Sequence, residues 1–403
     1  MTSETVDLVI LGGGCAGLSL ATRLAAANAS NLKTLVLENR TSYENDRAWC
    51  FFKDSAEPGR PDIQHTWPAM RIASSQASVV LDCNSAPYQM VHAGRFYEQA
   101  QAALNLSVLT ELRLGVNVAE PPTKRDGLWQ INAGATTIYT RFVVDTRPAR
   151  FPARGGVNLW QSFYGQEIEC SADIFDTSCG DLMDFSSPRA FAGIAGFKNA
   201  VCFVYVLPTT ARRALIEFTV FGSDRLGPEQ LRDMLALAIA QRTGAAGFEV
   251  LRSEHGVLPM GITPIATATK SDPTYVFAGL TAGGARPSSG YAFSRIQSWS
   301  ADCAESLAAG RQPMGHQRDS LVLRTMDALF LMLVRAYPQA APDLFVALFC
   351  STKPQSVIRF LSDRASLADY VRVVAALFPG PLLRALLGRR LSCNQAAELL
   401  KVQ

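Results

Sequence analysis

Two regimes of apolar patterning run along the 403 residues. Residues 6–11, Val-Asp-Leu-Val-Ile-Leu, form a β-branched apolar run that ends on glycines, which predicts a strand buried in a parallel sheet. Residues 15–29 carry Ala and Leu at helical spacing, and residues 34–38, Thr-Leu-Val-Leu-Glu, predict a second buried strand. Strand, helix and strand within about thirty-five residues make a βαβ unit. Residues 40–100 are loop-rich with short strands, and Phe96 to Leu104 has the spacing of an amphipathic helix. Residues 107–145 alternate like strands, and residues 157–222 add more, including Ala200 to Leu207 and Arg213 to Phe221. A helix is expected over 228–242 and a buried strand over 274–279. A glycine-rich turn follows, then a helix from about Tyr291 to Ala309. After Pro313 the pattern is almost wholly helical.

This order predicts an α/β protein: a Rossmann-type dinucleotide domain with a β-sheet substrate lobe and a C-terminal helical region. The expected division gives residues 1–60, 106–155 and 266–312 to the nucleotide domain. Residues 61–105 and 156–265 go to the substrate lobe, and 313–403 to the helical region.

Composition narrows the function classes. The chain is 48% hydrophobic and 18% charged. That balance fits either a large apolar cavity or membrane-facing patch, or simply a well-buried core. A net charge of +3 with no long basic run gives nucleic-acid binding little support. Arg384, Arg389 and Arg390 sit among leucines, as in a solvated helix end or a lipid-facing one. Nine scattered cysteines without a C-x-x-C pair fit a reducing cytoplasm, and four histidines with no ligand cluster predict no metal. No signal peptide is expected, and no run reaches the ~20 apolar residues that span a bilayer. The chain therefore reads as cytoplasmic, with any membrane contact peripheral and on the inner face.

The strongest local signal is Gly12-Gly13-Gly14-Cys15-Ala16-Gly17. Gly12, Gly14 and Gly17 form a G-x-G-x-x-G turn between a strand and a helix, and Ala16 falls in its first helical turn. A helix N-terminus there offers free N–H groups to a pyrophosphate. Glu38, at the end of the second strand, suits ribose hydroxyls. The fingerprint alone does not separate FAD from NAD. The later segment Phe277-Ala278-Gly279-Leu280-Thr281-Ala282-Gly283-Gly284 resembles the return of flavoproteins to the flavin, although Leu280 stands where many carry Asp. An ordinary strand-to-helix turn reads the same way in isolation.

Several further segments occur in a distinctive order. They are Asp46-Arg47-Ala48-Trp49, Val144-Asp145-Thr146-Arg147-Pro148, Trp160 to Glu169, Leu182-Met183-Asp184-Phe185, Ala214 to Thr219, Gly256 to Gly261, and Pro287 to Phe293. On these the chain resembles the flavin-dependent lycopene β-cyclases of bacterial carotenoid synthesis, over nearly its whole length. The resemblance implies FAD in its reduced form, with NADPH as electron source, and a hydrophobic polyene or terpenoid substrate. It also implies a redox-neutral closure of acyclic ψ-ends to β-ionone rings. Glu217 occupies the family's key acid position in a Leu-x-Glu-x-Thr segment.

An ordinary carboxylic acid of pKa ~4.3 is too weak to protonate an alkene in water, so the site must be dry and must stabilise a cation. Glu217 lies between Ile216 and Phe218 on an expected strand and points opposite to both. It is the candidate proton donor or cation-stabilising anion; a surface strand residue would look alike in sequence. Asp184 is the second candidate, to orient the acid or take a proton back, with a turn-capping role as its alternative. Trp49, Trp160, Phe163 and Tyr291 are candidates to face the cation. Arg47 and Arg147 are read as flavin-phosphate contacts or simple ion pairs. Gly279, Gly283, Gly284 and Ser288 are read as backbone and side chain near the flavin; Ser288 and Ser289 equally suit a helix cap. A flavin monooxygenase or dehydrogenase, and a cyclase acting on another terpenoid, are the competing functions.

Overall fold

The computed structural model describes residues 2–26, 31–53, 60, 62–148, 159–186, 197, 199–261 and 272–377. The strand Thr2–Leu11 lies at the centre of a seven-stranded sheet, in parallel register with Thr34–Leu37 on one side and Thr136–Asp145 on the other. Its inner half, Leu8 to Leu11, is fully buried, as the unbroken apolar run requires. Tyr275–Phe277 returns late in the chain to pair parallel with Thr136–Asp145, so the N-terminal glycine turn and the late glycine segment leave the same sheet edge.

The helices Cys15–Ala26, Ala93–Asn105 and Phe293–Ala308 share one core against this sheet, built from Leu18, Leu20, Leu24, Phe96, Leu104 and Trp299. Residues 61–105 were expected in the substrate lobe. Their helix instead joins the nucleotide side, because Phe96, Tyr97, Ala100 and Leu104 form one apolar stripe that docks on Cys15–Ala26.

The second seven-stranded sheet runs in the order Phe248–Met260, Leu159–Cys170, Arg213–Gly222, Val201–Pro208, Cys179–Asp184, Ala69–Ala73 and Ser78–Asp82. Its two faces do different work. Ile216 and Phe218 pack with Leu231, Leu235 and Ile239 of the helix Pro228–Thr243. Leu215, Glu217, Thr219 and Phe221 alternate with them and face a cavity. A three-stranded sheet (Ala48–Phe52, Tyr88–His92, Ile63–Trp67) and the helices Leu321–Ala336, Ala341–Ser351, Pro354–Leu361 and Leu367–Leu377 close that side. Among the described residues no helix is long and apolar enough to cross a membrane, and no cluster of metal-ligating side chains occurs. Arg384, Arg389, Arg390 and the domain limits expected at 155/156 and 265/266 lie outside the described residues.

Candidate active site

One cavity of about 1280 Å³ connects the glycine turn of the first sheet to the inner face of the second. At its nucleotide end, Gly12 has φ +95° and takes the left-handed backbone that starts the turn. A Cβ on Gly14 would meet nothing within 4 Å, because the residue faces open cavity. A Cβ on Gly17 would lie 1.9 Å from the Gly12 carbonyl oxygen, so only glycine lets the helix start against the strand.

Glu38 lines this end. Its carboxylate accepts hydrogen bonds from the Gly13 amide at 2.6 Å and from the Arg40 amide at 2.8 Å. Burial alone would raise its pKa, but the Arg40 and Gly13 hydrogen bonds outweigh burial and hold it below the ordinary carboxylate value. The Arg40 guanidinium also lies over the rings of Tyr43 and Tyr97, at 4.8 and 5.2 Å. Sequence reading missed Arg40, which stands two residues beyond Glu38 outside any motif.

The two arginines proposed for phosphates both line the cavity and are both paired. Arg47 binds Asp46 at 2.5 Å, and Arg147 donates to Asp145 at 2.7 Å and to the Val118 carbonyl at 2.6 Å.

Gly279 and Gly283 have φ values of +87° and +99°. Ser288 and Leu280 line the cavity, whereas Gly283 and Gly284 turn away from it toward His316. The His316 Nε2 accepts the Gly279 amide at 3.1 Å, and burial, with nearby Arg295 a smaller influence, pushes the imidazole down to about 4. Ser288 does not cap the following helix: its hydroxyl donates to Asp327 at 2.8 Å, and Asp327 forms a buried pair with Arg286.

Trp49, Phe163 and Tyr291 all line this cavity, Trp49 next to Tyr97 on the nucleotide side. Trp160 does not line it. Strand alternation sends Gln161 and Phe163 inward and turns Trp160 outward, where Arg225 covers its ring at 4.0 Å. Phe163 has room because its cross-strand partner is Gly256, where a Cβ would lie 2.6 Å from the ring.

Glu217 is buried and lies on the cavity wall. Burial, reinforced by the nearby Glu254, pushes it up to about 8. Thr219 donates a 2.6 Å hydrogen bond to one oxygen and fixes its orientation. Tyr205, its neighbour on the next strand, donates to Tyr88 at 3.0 Å, and the Tyr88 and Tyr291 hydroxyls lie 3.3 Å apart. Glu254 and Tyr205 were missed by sequence reading; only the strand register, invisible in one sequence, brings them beside Glu217.

Asp184 is not brought to this cavity. Leu182 and Met183 line it, but Asp184 accepts from Ser186 at 2.6 Å and pairs with Arg242 of the Pro228–Thr243 helix. The Cys179–Asp184 strand changes register between Asp181 and Asp184, and this irregularity gives both aspartates to one arginine. Asp184→Asn is therefore expected to cost about 2–4 kcal/mol of stability, as loss of one partner of a buried pair does, with turnover per folded molecule unchanged. Thermal unfolding and rate measured side by side check this; a 100-fold slower enzyme with unaltered melting would return Asp184 to the chemistry.

The fold is shared with solved structures of a reductase-like protein and a monooxygenase. It matches a geranylgeranyl bacteriochlorophyll reductase-like protein from Thermoplasma acidophilum with TM-score 0.59 and 14% identity, over 95% of this chain and 98% of the other. It also matches the p-nitrophenol 4-monooxygenase of Pseudomonas putida with TM-score 0.56 and 14% identity, over 96% and 100%. The sequence profile of the lycopene cyclase protein family matches residues 7–387, and the chain belongs to that family. The lycopene beta-cyclase of Pantoea ananas is 24% identical over 394 residues, 94% of this chain and 97% of the relative.

Proposed function

We propose that this chain closes the acyclic ends of a lycopene-like polyene into β-ionone rings without net redox change, with Glu217 as the proton donor. The observation that carries the reading is a buried carboxyl, pushed up to about 8, on the same apolar wall that runs to the glycine turn. At pH 7 such a group holds its proton.

The residues at the glycine turn fit FAD. Gly14 leaves the space a pyrophosphate needs, the helix from Cys15 points its N-terminus there, and Glu38 stands ready for a ribose. Reduced FAD, when bound, supplies negative charge beside a developing carbocation, and NADPH is the expected electron source. The chain's own residues do the rest. Apolar side chains exclude water, Thr219 orients the acid, and the Trp49, Phe163 and Tyr291 rings offer π-faces to the cation.

Expression in a lycopene-accumulating bacterium, with mass analysis of the pigments, tests the proposal. The expected product is an isomer of unchanged mass with fewer acyclic ends. A product heavier by one oxygen would make the protein a monooxygenase.

A further inference from the structure

We infer that Glu254 is the base that completes the reaction, forming with Glu217 one acid–base couple across the side-chain gap at Gly165. The inference rests on Glu217 being the donor. Closing a ring adds one proton to the polyene and removes another from a neighbouring carbon, so an acid alone leaves the reaction unfinished. A second group must accept the departing proton and return it.

Gly165 lies on the strand between the two glutamates and is the register partner of both Glu217 and Glu254. A glycine there places no side chain between the two carboxyls. An added Cβ would lie 3.3 Å from the Glu217 Cβ. Both glutamates are buried and both line the cavity.

Their surroundings divide the labour. Among the described residues the one side-chain hydrogen bond to Glu217 comes from the neutral Thr219 hydroxyl. Glu254 is ion-paired with Arg252, which also donates to Glu167 at 2.7 Å. Burial raises both carboxyls above the ordinary carboxylate value, but only Glu254 has a guanidinium bonded to it that opposes the rise, so the couple's proton is assigned to Glu217 and the charge to Glu254. Other groups around the couple are Tyr205 on the adjoining strand, Cys50 and Arg47 from the segment opposite, and His92, 3.7 Å from Glu167. None of these is a carboxylate facing the cavity beside Glu217.

The step balances. The Glu217 O–H bond breaks and a C–H bond forms at the terminal alkene. The electron pair of the second alkene makes the ring C–C bond. Glu254 then takes a ring proton, and that C–H pair becomes the ring double bond. Proton return from Glu254 to Glu217 restores both groups, and no electrons are gained or lost.

Infrared difference titration of the full chain, without substrate, reads the couple directly. Wild-type protein should show a protonated-carboxyl band that E217Q lacks. Removing the neighbouring anion in E254Q should lower the titration midpoint of that band by at least about one pH unit. With reduced FAD and lycopene in liposomes, E254Q should turn over about 100-fold slower, and E254D should recover part of the loss. If E254Q folds poorly, E254D decides, because shortening the side chain must move the midpoint. An unmoved midpoint, or wild-type turnover in E254Q, overturns the couple. An E217Q protein that keeps the band, or full turnover, takes down the donor assignment as well.

Discussion

Glu217→Gln is expected to reduce cyclisation on the order of 10³-fold while leaving FAD binding intact, a loss of about 4 kcal/mol of transition-state stabilisation. Glutamine has nearly the same shape, can keep the Thr219 hydrogen bond, and lies at the end of the cavity away from Glu38 and Gly14. Only the transferable proton is lost. The wild-type rate should fall as pH rises through about 8, because the acid is then ionised. Stability carries the same signature. The folded-state pKa is raised above the ordinary value of 4.5, so this group's contribution is fully present below pH 4.5 and is lost as pH rises through about 8. E217Q lacks that loss and should melt progressively higher than wild type across this window. A rate profile flat to pH 9, or an E217Q protein at wild-type rate, would remove Glu217 from the chemistry.

What could be read from sequence divides along physical lines. The βαβ unit was legible because local signals agreed: a buried apolar run, three glycines at fixed offsets, and Glu38 at the end of the next strand. The opposition of Glu217 to Ile216 and Phe218 was legible from the two-residue period of a strand, and Ile216 and Phe218 do pack under a helix. The same period would have turned Trp160 away from Phe163, but local sequence does not say which of the two faces is the cavity. Non-local pairing was not legible. Nothing near Asp184 in sequence announces Arg242, 58 residues on, which holds it outside the site. Glu254 and Glu217 lie on strands that both pair with Leu159–Cys170, and meet only because each takes Gly165 as its register partner. The helix Ala93–Asn105 had a readable apolar stripe but no label for its partner.

The second large effect is expected from Gly17→Ala, and comparison with Gly14→Ala separates packing from ligand binding. At Gly17 the new methyl would sit 1.9 Å from the Gly12 carbonyl oxygen and 3.1 Å from the Thr146 hydroxyl. Backbone on the strand side cannot yield as a flexible side chain does, so the helix must move off the strand that Leu11 anchors. Overpacking of this kind costs at least about 1–3 kcal/mol, and the displaced N-terminus no longer points its N–H groups into the cavity. FAD affinity should drop by more than 100-fold, together with a lower melting temperature. At Gly14 the methyl meets no protein atom within 4 Å and projects into the cavity that the pyrophosphate is proposed to fill. That variant should melt like wild type without ligand and still bind FAD more weakly, by flavin-fluorescence titration. If Gly14→Ala bound FAD at full affinity, the dinucleotide would lie elsewhere. If Gly17→Ala left both melting and binding untouched, the close helix–strand contact would not be what shapes the site.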